Sequence, residues 1–168
     1  MLGLNRTFAL VLALAAVAAP AALAAPQTLT KAQVIERGSA ICRAAEHRVD
    51  ATPGPRSQNP FAATAPRGDR ERAIAFMAVY ASSLTSVRDG LGRLVPLAPP
   101  QGRTLLASFV SQLGPTIAAF RAGHTAATRH HDARALADVQ RGFTLFAHAS
   151  LKTKAYGFPK GVCQSGSS

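Results

Sequence analysis

The most regular pattern in the chain is an apolar heptad repeat within residues 69–95. Its positions step alternately by four and three residues: Ala73, Met77, Tyr80, Leu84, Val87, Leu91 and Leu94. An apolar stripe with this period favours packing against neighbouring helices that run nearly parallel to its own axis. The repeat therefore predicts a long helix with one face buried in a helical bundle.

Three further segments, 30–50, 101–129 and 132–157, also carry apolar residues at helical spacing. The stripes comprise Val34, Ile41 and Ala45 in the first segment, Leu106, Phe109, Leu113, Ile117 and Phe120 in the second, and Leu136, Val139, Phe143 and Phe146 in the third. Thr30 and Gln33 are spaced as a capping box. Gly157 suits the left-handed position that follows a helix, with Phe158 closing over it. Because no segment alternates like a strand, we expect an all-α, up-down-up-down four-helix bundle.

The connections between these segments are rich in proline. Residues 51–68 contain four prolines, which exclude a long helix or a central strand and indicate an extended, partly mobile connection. The stretch VPLAPP at 95–100 separates the second and third helices.

The first residues have the order of a signal peptide. Arg6 precedes an apolar run that ends before Pro20, and Ala22-Leu23-Ala24 follows as a small-x-small cleavage site. The run is short and alanine-rich for a membrane span. We therefore expect a cleaved signal peptide over 1–24 and a single helical domain over 25–168. With no cysteine at the cleavage site, we expect a secreted or extracytoplasmic protein without a lipid anchor.

The charge of the chain is strongly positive. It carries 19 Lys and Arg against 8 Asp and Glu, a net charge of +11. A positive surface favours anionic partners, here an anionic envelope polymer or a membrane surface; another protein is a further alternative. Nucleic acid is not expected, because no aromatic residues are interleaved with the basic ones.

The chain has two cysteines, Cys42 and Cys163. An even number in an exported chain indicates a disulfide, with two separate thiols as the alternative. Closing a loop of about 120 residues would stabilise the fold by roughly 4–5 kcal/mol. In an up-down bundle, the tail after the fourth helix can climb back along the first helix and reach Cys42.

Several short motifs resemble those of small secreted helical proteins of actinobacterial type, a loose group without an established function. These motifs are ICRAAE early in the first helix, LVPLAPP before the third, and AYGFPKGVC at the end. The resemblance implies a helical fold and a Cys42–Cys163 bridge. It implies no activity.

The chain has no familiar catalytic motif. It lacks the Gly-x-Ser-x-Gly elbow, the Ser-x-x-Lys pair, the phosphate loop, the His-Glu-x-x-His helix and the haem-attachment signature. The acidic residues lie beside arginines in HRVD, RGDRER and VRDG, which indicates solvated helix surface. We therefore predict a non-enzymatic module with no catalytic residues and no cofactor.

A cluster of histidines is the one candidate for a metal site. In an antiparallel bundle, the first and third helices end at the same pole. That arrangement would bring together His47, Asp50, His124, His130, His131 and Asp132. Three or four of these side chains could bind zinc or copper. A metal- or cofactor-binding bundle is therefore the alternative function.

Each of these residues also has a local structural explanation. His130 and His131 occupy the short connection before the fourth helix, where Asp132 suits an N-cap. Cationic histidine suits the end of the third helix, and His124 continues the apolar seam of that helix.

The charge gives a first prediction. At neutral pH the protein should bind a sulfonated resin at low ionic strength and elute as salt rises, because salt screens exposed charges beyond about 8 Å at physiological strength. Chromatography at several salt concentrations tests this. Failure to bind at low salt, or retention that salt does not change, would contradict it.

Overall fold

The computed structural model describes residues 28–164, so the predicted signal peptide lies outside it. The described chain forms four helices: α1 (Lys31–Asp50), α2 (Asp69–Leu94), α3 (Pro100–Thr128) and α4 (Asp132–Tyr156). A short 3-10 turn, Val95–Leu97, joins α2 to α3. The four-helix fold and its boundaries agree with the sequence prediction to within one residue. Across residues 28–164, no helix combines the length and apolarity that crossing a membrane requires.

The helices pack in chain order: α1 on α2, α2 on α3, and α3 on α4. The heptad repeat of α2 forms much of the core, with six of its seven predicted positions buried. The seventh, Tyr80, is half-buried. All five predicted positions of α3 are buried as well. Helix α3 continues through Pro115, which lies inside it.

The predicted caps are present at the start of α1 and at the end of α4. At the start of α1, the Gln33 amide donates to the Thr30 hydroxyl, and the Thr30 amide donates to the Gln33 side chain. After α4, Gly157 adopts a φ of 105°. The Phe158 amide then donates to the Thr153 carbonyl, and its ring is buried in the core. These bonds satisfy backbone groups that a helix end leaves unpaired.

The predicted disulfide is present. Cys42 of α1 and Cys163 of the tail are bonded, with their Cα atoms 5.3 Å apart. Two further bonds hold the tail at this point. The Cys163 amide donates to Glu46 of α1 at 3.1 Å, and its carbonyl accepts from the Thr153 hydroxyl of α4 at 3.3 Å. The tail therefore connects the last helix to the first.

The apolar face of α4 differs from the predicted stripe. Phe143 is 40% exposed, whereas the small residues Ala135, Gly142 and Ala149 are buried. A Cβ atom on Gly142 would lie 2.8 Å from the Phe120 ring. Because α4 approaches α3 so closely here, only a glycine fits in the interface. The Phe143 ring packs at its edge instead, T-shaped against Phe120.

The proline-rich connection is anchored through Asp69. Its carboxylate accepts from the backbone amides of Arg56 and Ser57 and from the Ser57 hydroxyl, and it pairs with Arg72. The expectation that this acidic residue is solvated surface is wrong, since its side chain is fully enclosed. Burial acts to raise the pKa of Asp69, but the Arg72 pairing and the other hydrogen bonds outweigh it and hold the pKa well below its usual range.

The anchoring of residues 51–68 gives a second prediction. Asp69→Asn should expose this connection to trypsin, with cleavage after Arg56 and Arg67 several-fold faster than in the wild type. The neutral side chain loses the Arg72 pair and presents an amide donor to backbone donors. Asp89→Asn is the matched control, because Asp89 pairs with its neighbour Arg88 at the surface.

The same interaction fixes a pH dependence. A carboxylate with a lowered folded pKa stabilises the protein above its unfolded pKa of about 3.9 and loses that contribution as the pH falls through the folded pKa. The difference in unfolding free energy between wild type and Asp69→Asn should therefore shrink in acid. Equal cleavage rates, or a difference that is constant with pH, would contradict this role.

Candidate functional site

A mainly apolar cleft lies between α1, α2 and the tail, and it is here called the tail cleft. Its volume is about 280 Å³. Its walls come from all four helices and from the segment that the disulfide holds in place. They comprise Cys42, Ala45, Glu46, Val49 and Asp50 of α1, Tyr80, Ser83, Leu84 and Val87 of α2, Phe109 of α3, Phe146 of α4, and Gly161, Cys163 and Gln164 of the tail.

Most of this lining is apolar, and a few polar groups are set into it. Ser83 lies on the wall from α2 and is 2% exposed. Within residues 28–164 its hydroxyl has no hydrogen-bond partner. A buried hydroxyl that lacks a partner costs about 1–3 kcal/mol. The oxygen is shielded from solvent, so Ser83 lines the cleft without presenting its hydroxyl to it.

Two carboxylates, Glu46 and Asp50, lie one helical turn apart on the α1 wall. Glu46 is half-buried, and one of its oxygens accepts from the Cys163 amide. Asp50 is exposed at the end of the helix. Residues four apart lie on the same face of a helix, so both carboxylates border one side of the cleft.

Tyr80 joins the cleft to the aromatic core. The centre of its ring lies 4.5 Å from the centre of the Phe120 ring, and the ring packs edge-on against Phe146 and Phe143. Burial, with a smaller contribution from the negative charge of Glu46, raises the pKa of Tyr80 to about 12. The phenol therefore stays protonated at neutral pH and can donate a hydrogen bond.

The histidines proposed from the sequence as metal ligands lie in separate places. His47 is exposed on α1. His124 borders a groove between α2 and α3 that includes Met77, whereas His131 borders a different groove beside Arg129. Within residues 28–164, no three His, Cys, Asp or Glu side chains come together as metal ligands. Helix α1 packs on α2, so a shared pole does not bring its residues against α3.

The turn between α3 and α4 corrects the predicted role of Asp132. Asp132 is the first residue of α4, and the preceding N-cap is His131, which makes no side-chain capping bond. The Asp132 carboxylate pairs instead with Arg70 of α2 at 2.7 Å, and Arg70 also donates to the Ala127 carbonyl at 2.6 Å. A long-range ion pair thus replaces the expected local cap.

His130 has the structural role of a helix terminator. It adopts a φ of 59°. Its amide donates to Ala127, and the amide of His131 donates to Ala126. This pair of bonds closes the C-terminal end of α3 in the Schellman arrangement.

The tail cleft contains groups that the sequence pattern did not single out as one site. The heptad repeat predicts that Tyr80 lies in the core. The sequence context of Asp50 predicts either solvated surface within HRVD or a place in the histidine cluster. A polar residue next to buried positions, such as Ser83 beside Leu84, is a weak signal of a cleft. Of the long-range contacts that form this lining, the sequence predicts one, the pairing of Cys42 with Cys163.

The fold and the cleft define a disulfide-tied four-helix bundle with an apolar cleft beside the tail. Comparison of the chain with family models, with curated proteins and with solved structures finds no match. The resemblance to small secreted helical proteins therefore stays a prediction.

Tyr80 gives the third prediction. The chain has only two tyrosines, and burial also raises the pKa of Tyr156. Phenolate absorbance should therefore develop above pH 10, with the Tyr80 step near pH 12. Tyr80→Phe should remove that step, and Glu46→Gln should move it to lower pH.

The sign of the effect on stability follows from the same shift. The pKa of Tyr80 is higher in the folded protein than the unfolded value of about 10, so between pH 10 and pH 12 the phenol is protonated in the native state and ionised in the unfolded state. The resulting stabilisation is therefore complete below pH 10 and is lost as the pH rises towards 12. The free energy of unfolding should fall over this range, and less steeply in Tyr80→Phe. A Tyr80 step close to pH 10 would show that the ring is solvated.

Proposed function

We propose that this chain is an exported, non-enzymatic helical module that binds a ligand in the tail cleft. The observation that carries the proposal is the cleft itself: a mainly apolar cavity of about 280 Å³ bordered by two carboxylates, Glu46 and Asp50. Binding sites for small molecules are mainly apolar concavities with a few polar groups that orient the ligand.

Two features support export. The first residues carry the charged, apolar and small-x-small segments of a signal peptide. The disulfide fits the oxidising compartments outside the cytoplasm, where such bonds persist. We propose a location outside the cytoplasm on these grounds.

The polar groups of the cleft support binding over catalysis. A serine nucleophile needs a base within hydrogen-bond reach, and the Ser83 hydroxyl has no such partner in residues 28–164. Over the same residues, the carboxylates of the lining, Glu46 and Asp50, make no hydrogen bond to this hydroxyl. The alternative function, a metal-binding bundle, lacks support, because the described histidines do not gather around one point.

The surface charge supports a location near anionic material. The full chain has a net charge of +11, and nearly all of that charge lies outside residues 1–24. The module would therefore be attracted to anionic envelope polymers or to membrane surfaces by long-range electrostatics. Such contact would concentrate the module at the cell envelope and leave the cleft free for its ligand.

The fourth prediction tests the cleft with a neutral apolar probe, naphthylmethanol. An apolar cavity of about 150 Å³ accommodates benzene, so the tail cleft has room for two fused rings. We expect a dissociation constant on the order of 0.1 mM, since a ligand of about twelve non-hydrogen atoms gains modest free energy. Isothermal titration calorimetry of the disulfide-bonded protein measures it.

A matched pair of variants localises the binding. Val49→Phe places a ring in the mouth of the cleft and should weaken binding at least tenfold, whereas Val110→Phe lies on α3 outside the cleft lining and should leave it unchanged. Thermal unfolding checks that both variants are folded. No binding of the probe to the wild type, or equal binding by the two variants, would overturn the proposal.

A further inference from the structure

The charge of the tail cleft is opposite to that of the chain. Basic residues outnumber acidic ones 19 to 8 in the sequence. The ionisable side chains of the lining are nevertheless Glu46, Asp50 and the protonated Tyr80, and no lysine or arginine of residues 28–164 borders the cleft. A ligand in this cleft therefore borders two carboxylates and no basic side chain of the described residues.

The carboxylate of Glu46 is only partly compensated. One oxygen accepts from the Cys163 amide at 3.1 Å. Neither Glu46 nor Asp50 takes part in an ion pair within the described part of the chain, whereas the enclosed carboxylate of Asp69 is paired with Arg72. A half-buried carboxylate beside apolar walls interacts strongly with an added cation, because little water screens it.

The aromatic groups of the lining favour the same kind of ligand. The rings of Tyr80 and Phe146 border the cleft. An aromatic face attracts a cation within about 6 Å of its centre, and the same rings pack well against a flat apolar body.

We propose that the ligand of the tail cleft is a small organic ammonium cation with a flat apolar body of about two fused rings. Its body lies against the aromatic and aliphatic walls, and its ammonium group donates to the carboxylates of Glu46 and Asp50. This inference rests on the proposed function, because it names the ligand class of the same cleft.

The test compares three probes that share one body and differ in charge: naphthylmethylamine, naphthylmethanol and naphthoate. At neutral pH these are a cation, a neutral molecule and an anion. We expect the amine to bind about fivefold more tightly than the alcohol, as a partly exposed ion pair stabilises by up to about 1 kcal/mol. Naphthoate should bind more weakly than the alcohol.

A double variant, Glu46→Gln with Asp50→Asn, removes both charges from the lining. The tail should stay in place, since the oxygen of the new side-chain amide at position 46 can still accept from the Cys163 amide. This double variant should bring amine and alcohol to equal affinity and leave that of the alcohol unchanged. Asp89→Asn, a remote surface change, should preserve the fivefold preference.

The outcomes separate the two proposals. Binding of the alcohol without tighter binding of the amine would overturn the ammonium ligand and leave the binding cleft in place. Failure of all three probes to bind the wild type would overturn the binding function as well. A preference for the amine that survives the double variant would show that the cleft carboxylates do not select the cation, and would overturn the ammonium site.

Discussion

The disulfide between Cys42 and Cys163 is the constraint on which the closed form of the bundle depends. The helices pack in chain order, and α1 makes its main helix contacts with α2. The tail after α4 reaches back to α1 and is fixed there by the covalent bond and by hydrogen bonds to Glu46 and Thr153. Linking residues 121 apart removes conformational freedom from the unfolded chain, which in the chain-entropy account stabilises the fold by roughly 4–5 kcal/mol.

The same constraint shapes the tail cleft. The cleft lies between α1, α2 and the tail that the disulfide holds against α1. Gly161, Cys163 and Gln164 form one wall of that space, and Tyr80 brings the aromatic cluster to another. Stability and the candidate binding site therefore share one structural origin. A change that freed the tail would remove a wall of the cleft as well as a crosslink.

Buried charge organises the end of the bundle where α2 begins. Asp69 gathers the backbone amides of the proline-rich connection. Next to it, Arg70 bonds to the end of α3 and to Asp132 at the start of α4, and its guanidinium lies 5.5 Å from the Phe61 ring centre. Two adjacent residues thus fix three chain segments, since a desolvated charge is stable only with its partners in place. The histidines near this turn are spaced by that geometry and do not converge.

The fold class, the helix boundaries and the disulfide could be predicted from the amino-acid sequence, because they depend on local rules: apolar periodicity, capping residues, proline placement and the pairing of two cysteines. The sequence did not predict which polar residues are buried, because their burial depends on how the helices pack. Asp69 and Asp50 stand in similar arginine-rich contexts, yet one is enclosed and the other lies exposed at a cleft. Tyr80 fits the heptad repeat and still borders the cleft, whose lining also includes the tail that the disulfide holds against α1. The burial of charges and the shape of the cavity depend on residues that lie far apart in the chain. The periodicity of apolar residues does not show which of these residues come into contact.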